Sequence, residues 1–203
     1  MKLHGHPMSN HALRVQALLE EFEVEYELHI VDFEAQENQS EAFLKLNPNG
    51  KVPVLEDGDV VLWESHAIMR YLCEKYERFD WYPKDMIDRI NVEKWLDWCH
   101  TRINPEAVTI AFNTFRNTGA DEKITNAKGW IKKILPVLEG VFKAQPYLCG
   151  DKPTIADLSL LSSLMYLKMC NAGMEEFPIT SKWYDQYFSR SKLAKVLPAQ
   201  DAA

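Results

Sequence analysis

The chain has 203 residues, 46% hydrophobic and 26% charged, the balance of a folded globular protein with room for one small and one medium domain, and this excludes a disordered chain. Its formal net charge is -7 and its Lys and Arg form no dense run, which excludes nucleic acid and an anionic membrane surface as expected partners. No apolar stretch approaches the roughly 20 residues that span a bilayer, nothing near Met1 resembles a signal peptide, and Cys73, Cys99, Cys149 and Cys170 are far apart with no CxxC pair, so a cytoplasmic protein with reduced thiols is expected.

The first half alternates strand and helix. Met1–His4 is a short apolar opening suited to a strand. Ala12, Val15, Leu18, Leu19 and Phe22 recur at helical spacing and predict a helix from Asn10 to Phe22. Tyr26–Val31 alternates as a strand does, and Glu41–Leu46 predicts a short helix before the turn signal Asn47-Pro48-Asn49-Gly50. Val52–Glu56 and Asp59–Trp63 predict a hairpin around Asp57-Gly58, a pair suited to the positive φ angles of a type I′ turn. Ser65–Lys75 predicts a third helix. The order β-α-β-α-β-β-α, with a right-handed crossover making the first two strands parallel, gives a mixed four-stranded sheet.

Arg78–Lys84 reads as a linker. From Asp85 onward the expectation is all-helical: Met86–Asn117, kinked where Pro105 removes a backbone donor, then Asp121–Lys143, Thr154–Cys170 and Ser181–Arg190. The expected domains are an α/β domain over 1–77, a linker over 78–85 and a helical domain over 86–203.

Three places carry candidate chemistry. In Val52-Pro53, proline opens a strand. A trans bond is the ordinary state, with about 5–6% of such bonds cis. In a cis bond the Val52 N–H and C=O would face outward, free to pair with an extended peptide as an added strand does. Glu64-Ser65 stands at a strand-to-helix junction, where free N–H groups suit a carboxylate and Glu64 suits an ammonium. The ordinary alternative is Ser65 as helix cap with a solvated Glu64. Ser9 stands at the first strand-to-helix junction and is open to the same two readings. As a donor to a sulfur anion it would contribute about 1.5–3 kcal/mol, and the helix dipole about 0.3–1 kcal/mol. At about 1.36 kcal/mol per unit, a thiol near 8.5 would drop by roughly one to three units. Ser9 would then stabilise a nucleophile that the ligand brings.

Taken together, Gly5-His6-Pro7-Met8-Ser9 with Arg14-Val15, Asn47 through Gly58, and Glu64-Ser65-His66-Ala67-Ile68 resemble the N-terminal domain of cytosolic glutathione transferases. Within that family the serine-type phi and theta-like classes and their bacterial relatives are most similar. Gly150 through Asp157 resembles the family's capping box, with Thr154 as cap. The resemblance implies a thioredoxin-like first domain followed by a helical bundle, and a cis bond before Pro53. It implies Ser9 as the activating residue, Val52 and Pro53 at the cysteinyl backbone of glutathione, Glu64 and Ser65 at its γ-glutamyl end, and Lys51 near the tripeptide. Where phi-class proteins hold the glycine carboxylate with a His-Lys pair, this chain has Asn38 and Gln39, which hydrogen-bond without charge. Met8, Thr101 and Arg102 are candidates for the second-substrate site. The activity implied is conjugation of the thiolate to small hydrophobic electrophiles, with peroxide reduction as a sister activity. Glutathione is the co-substrate, no cofactor or metal is expected, and a homodimer is implied.

Other chemistries lack their residues. His4, His6 and His11 have no local Cys or carboxylate to complete a metal site. There is no Gly-x-Ser-x-Gly elbow. No cysteine precedes Cys73 and no tyrosine precedes Tyr26, which removes the nucleophile of cysteine-type relatives and the donor of tyrosine-type ones. The alternative from another class is a non-catalytic binding or assembly module on the same fold.

Overall fold

The structure, a computed structural model, describes residues 1–197. The chain divides into two compact units, Met1–Arg78 joined by the residues from Ser191 on, and Phe79–Arg190.

The first unit contains β1 (Lys2–Gly5), α1 (Asn10–Glu21), β2 (Glu27–Ile30), α2 (Glu41–Leu46), β3 (Val54–Asp57), β4 (Val60–Trp63) and α3 (Ser65–Lys75). The strands form one sheet in the order β2-β1-β3-β4. β1 runs parallel to β2 and β3 antiparallel to β4, as the element order predicts, and β3 also pairs antiparallel with β1. Leu3 and Leu55, opposite one another in register, are fully buried, and α1 and α3 pack together with Val15, Leu18, Ile68 and Leu72 inside. Each such side chain contributes about 1.5–3 kcal/mol by leaving water. Val54 points to the opposite pleat and joins Val31 and Phe43 in a small second core that seats α2.

The hairpin corrects one expectation. Asp57 pairs with Val60, so Gly58 and Asp59 form the two-residue loop, one position later than predicted. Of the pair only Gly58 has positive φ, +61°, the pattern of a type II′ turn with glycine first. Asp57 stays in the strand because its carboxylate is held by the Tyr71 hydroxyl at 2.6 Å and by Lys75.

The second unit contains α4 (Met86–Trp98), α5 (Asn104–Phe115), α6 (Asp121–Ala144), α7 (Ile155–Met169) and α8 (Pro178–Arg190). The long first helix expected here is interrupted by a π-helical stretch, Cys99–Ile103, closed by the Asn104 N–H on the Cys99 carbonyl, five residues back. Pro105 then sits in the first turn of α5, where its missing N–H costs little. Helix α7 is buried on all sides from Ile155 to Leu167 and forms the centre of this unit. Its capping box forms as the sequence indicates: Asp157 accepts from the Thr154 N–H at 2.9 Å and hydroxyl at 3.0 Å, and from the Leu148 N–H at 2.8 Å. The short α9 (Leu193–Val196) lies beyond the predicted helices and packs on α1 of the first unit.

Candidate active site

Strand direction gathers the candidate residues of the first unit. β1, β2 and β4 end at the same edge of the sheet at which β3 begins, because β3 alone runs the other way. That edge therefore carries His6–Ser9 after β1, the 31–40 segment after β2, Lys51-Val52-Pro53 before β3 and Glu64-Ser65 after β4. The N-termini of α1 and α3, with their unpaired N–H groups, open at the same edge.

Ser9 is the N-cap of α1, in extended conformation, and its Oγ accepts from the Ala12 N–H at 3.3 Å. The turn before it is closed by the Ser9 N–H on the His6 carbonyl at 2.9 Å. The sequence left open whether Ser9 is a cap or a donor, but the two roles use different parts of the hydroxyl. Capping takes an oxygen lone pair; the O–H hydrogen can still donate. Met8, immediately before it, is exposed.

The Val52-Pro53 bond is cis. Among the described residues no hydrogen bond is made to the Val52 N–H or C=O. Pro53 is buried and Lys51 exposed. The loop leading here is built by Asn47, which the sequence shows only as a turn signal. Its buried side chain donates to the Lys51 carbonyl at 2.7 Å and accepts from the Asn49 N–H at 3.0 Å. Gly50 has a φ of +61°, and a Cβ there would lie 2.5 Å from Gln39 Nε2 and 3.0 Å from the Asn38 carbonyl oxygen. Asn38 donates to the Gly50 carbonyl at 2.8 Å, so one of its donors holds the loop.

At the last junction the cap position falls on Glu64, and Ser65 is the first residue of α3. Glu64 has φ 71° and ψ 112°, conformations that cost a non-glycine residue about 1–3 kcal/mol and concentrate at functional sites. Its carboxylate is exposed. Ser65 is buried, and its Oγ lies 3.2 Å from His11 Nδ1. A second bond, Arg14 Nη1 to His66 Nε2 at 3.0 Å, also ties α1 to α3. Arg14 and His66, which belong to the quoted motifs, and His11, which the sequence offered only as a metal-site histidine, are thus supports whose partners the sequence does not show.

Thr101 and Arg102 belong to the second unit, exposed on the π-helical stretch, where the Thr101 hydroxyl donates to the Asp97 carbonyl at 2.8 Å. Trp95 and Trp98 in α4 pack edge to face, 5.4 Å between centroids. Among the described residues no three His, Cys, Asp or Glu side chains converge as metal ligands, and no helix is long and apolar enough to cross a membrane.

A four-stranded thioredoxin-like unit with two helix N-termini at one sheet edge, followed by an all-helical unit, defines the class of two-domain proteins with a thioredoxin-like N-terminal domain. Residues 1–74 match the family description "Glutathione S-transferase, N-terminal domain" and residues 103–191 match "Glutathione S-transferase, C-terminal domain". The chain is 32% identical to the probable glutathione S-transferase GSTF2 of Oryza sativa subsp. japonica, over 97% of this chain and 95% of that protein. The fold is similar to glutathione transferase F7 from Populus trichocarpa, with a TM-score of 0.89 and 30% identity over 98% of this chain and 99% of that one. It is also similar to URE2P6 from Phanerochaete chrysosporium, a glutathione transferase solved in complex with oxidized glutathione, with a TM-score of 0.86 and 30% identity over 96% and 93% of the chains. The chain belongs to the glutathione S-transferase family and is an enzyme that takes glutathione as co-substrate, with no cofactor.

Proposed function

We propose that this chain is a serine-type, phi-like glutathione transferase that joins the glutathione thiolate to small hydrophobic electrophiles. The observation that carries this reading is the convergence of Ser9, the unpaired Val52 main chain and Glu64-Ser65 at one sheet edge. In it the cysteinyl backbone pairs with Val52, and the γ-glutamyl head group meets the α3 N-terminus, Ser65 and the Glu64 carboxylate. Lys51 and Gln39 serve the glycine end beside Asn38. The thiol proton leaves to solvent, and the Ser9 O–H and the α1 N-terminus hold the sulfur as its anion. Sulfur then bonds to the electrophilic carbon while the leaving group departs with its electron pair. Met8, exposed immediately before Ser9, is proposed to contact the electrophile.

The test is conjugation of an aryl halide by wild type and Ser9→Ala. The expected loss in kcat is about tenfold or more, from a charge-assisted hydrogen bond worth about 1.5–3 kcal/mol. Activity unchanged in Ser9→Ala removes Ser9 from this role, and inactivity of the wild type on a broad electrophile panel removes the conjugation reading. The same thiolate reducing an organic hydroperoxide is the sister activity, measurable with the same two proteins.

The protein is further proposed to work as a cytoplasmic homodimer. Each unit carries apolar surface suited to a partner: Val60, Val61 and Trp63 on the edge strand β4, and Met86, Ile87 and Ile90 on α4, exposed by 75%, 60% and 59%. The free cysteines agree with a reducing compartment. A monomer in light scattering overturns the dimer.

A further inference from the structure

The sheet gathers a second group of titratable side chains that the proposed chemistry leaves unused. Register sets His4 beside His29 across the parallel β1–β2 pair, with ring centroids 5.1 Å apart, edge to face. His4 Nε2 reaches Glu56 Oε1 on β3 at 2.5 Å, and His29 Nε2 reaches Glu37 Oε1 at 2.5 Å. A carboxylate only accepts, so in the second pair His29 Nε2 carries the hydrogen.

Glu37 opens the single 3₁₀ turn Glu37–Gln39 that separates β2 from α2. Its second oxygen accepts from the Asp32 N–H at 2.8 Å, and its own N–H donates to the Asp32 carbonyl at 2.9 Å. The next residue, Asn38, donates to the Gly50 carbonyl at 2.8 Å, and Gly50 precedes Lys51 and Val52. A continuous path of bonds therefore runs from β2 through His29, Glu37 and Asn38 to the loop that presents the Val52 main chain. The 31–40 segment belongs to no strand: the Val31 N–H on the Gly5 carbonyl at 2.9 Å and the packing of Val31 and Phe33 fix its start, and the Glu37 side chain adds the bonds that hold the turn bearing Asn38. The loop and the turn lie close together here, since a Cβ at Gly50 would stand 3.0 Å from the Asn38 carbonyl oxygen.

We propose that His29, acting through Glu37, is a positioning residue for glutathione: it fixes the turn bearing Asn38 and so sets where the Lys51-Val52 main chain stands. This rests on the reading that Val52 pairs with the tripeptide. His29 does not touch Ser9, so the proposal assigns it to binding and leaves the activation of sulfur to Ser9.

The experiment measures glutathione binding by calorimetry, and kcat and KM with an aryl halide, for wild type, His29→Leu, His29→Gln and Glu37→Ala. Glutamine keeps an N–H donor near the Nε2 position, whereas leucine keeps the bulk alone. Both His29 and Glu37 are partly exposed, so a bond to charge is discounted for screening. The expected effect is a loss of about three- to fivefold in glutathione affinity and the same rise in its KM for His29→Leu and Glu37→Ala. Their kcat stays at the wild-type value, and His29→Gln stays within about twofold of wild type in every constant. Wild-type affinity in His29→Leu and Glu37→Ala overturns the proposal, as does a His29→Gln variant as weak as His29→Leu, which would assign the effect to packing. A fall in kcat without a change in KM overturns it too. Should His29→Leu fail to fold, as followed by circular dichroism, Glu37→Ala in its surface turn decides the matter. Absence of glutathione binding by the wild type overturns the underlying reading and this one with it; binding by wild type with unmoved variants overturns only this one.

Discussion

Ser9 shows how one hydroxyl serves two purposes. Its oxygen satisfies the Ala12 N–H, which would otherwise be an orphan of the first turn, and its hydrogen remains for a ligand. A serine-to-alanine change therefore removes a cap as well as a donor, and the capping part costs about 1 kcal/mol of stability. Gly50 gives a second test at this scale. Its φ of +61° and the 3.0 Å approach of the Asn38 carbonyl oxygen to any Cβ make alanine both strained and crowded. Gly50→Ala is expected to lose about 1–3 kcal/mol of stability in a denaturant melt. It should also weaken glutathione binding in calorimetry, because the Asn38 tether ends on this residue's carbonyl.

At the scale of elements, α7 and its cap are the part of the second unit most sensitive to one side chain. Asp157 is fully buried, and burial pushes its carboxyl up to about 6, against the opposing pull of the N–H groups of Leu148 and Thr154 and the Thr154 hydroxyl. The folded protein thus binds this proton more tightly than the unfolded chain, whose carboxyl titrates near 3.8. The stability that follows is fully present below about pH 4, falls as pH rises towards about 6, and is level above that, a span of about 3 kcal/mol. Asp57 works in the opposite sense. Lys75 and then Tyr71 hold its carboxyl below the usual range, so its contribution is present above that range and lost as pH falls. Asp157→Asn is expected to remove the decline between about pH 4 and 6 in chemical melts, leaving the Asp57 slope at lower pH. Asp157→Ala leaves the Leu148 and Thr154 N–H groups buried without their acceptor and is expected to cost about 2–5 kcal/mol at neutral pH.

For the whole molecule, the chain does not end in the unit where its last long helix lies. After α8 it returns to the first unit, where α9 packs on α1 with Leu193 fully buried, and the Lys192 N–H donates to Glu21 at 2.8 Å. The stability of the first unit therefore includes residues about 170 positions distant in sequence from α1, as the Glu21–Lys192 separation of 171 shows. Leu193→Ala is expected to cost about 2–4 kcal/mol, read as a lower unfolding midpoint in denaturant. A melt unchanged by Leu193→Ala would mean that α9 contributes nothing to the first unit.

The sequence by itself determined the element order, the mixed sheet and the helical second half, because apolar periodicity and turn residues are local signals that tertiary packing here reinforces. It also carried Ser9, Val52-Pro53 and Glu64-Ser65, since glycine, proline and cap residues mark strand ends and helix starts. Tertiary structure decided the rest. Antiparallel register brings four distant segments to one edge. The hairpin turn moved by one residue because Asp57 is held in its strand by Tyr71 and Lys75, partners that lie on α3. The cap of α3 fell on Glu64, whose positive φ turns the chain out of the strand, and the Ser65 hydroxyl meets His11 on another helix. Asn38, read as a ligand contact, is also a tether to Gly50, and His29, read as an ordinary strand residue, is bound to Glu37 eight positions on. None of these bonds has a local pattern. Each depends on side chains that meet only when strands pair and helices pack, and such meetings leave no period in the chain for a sequence reading to find.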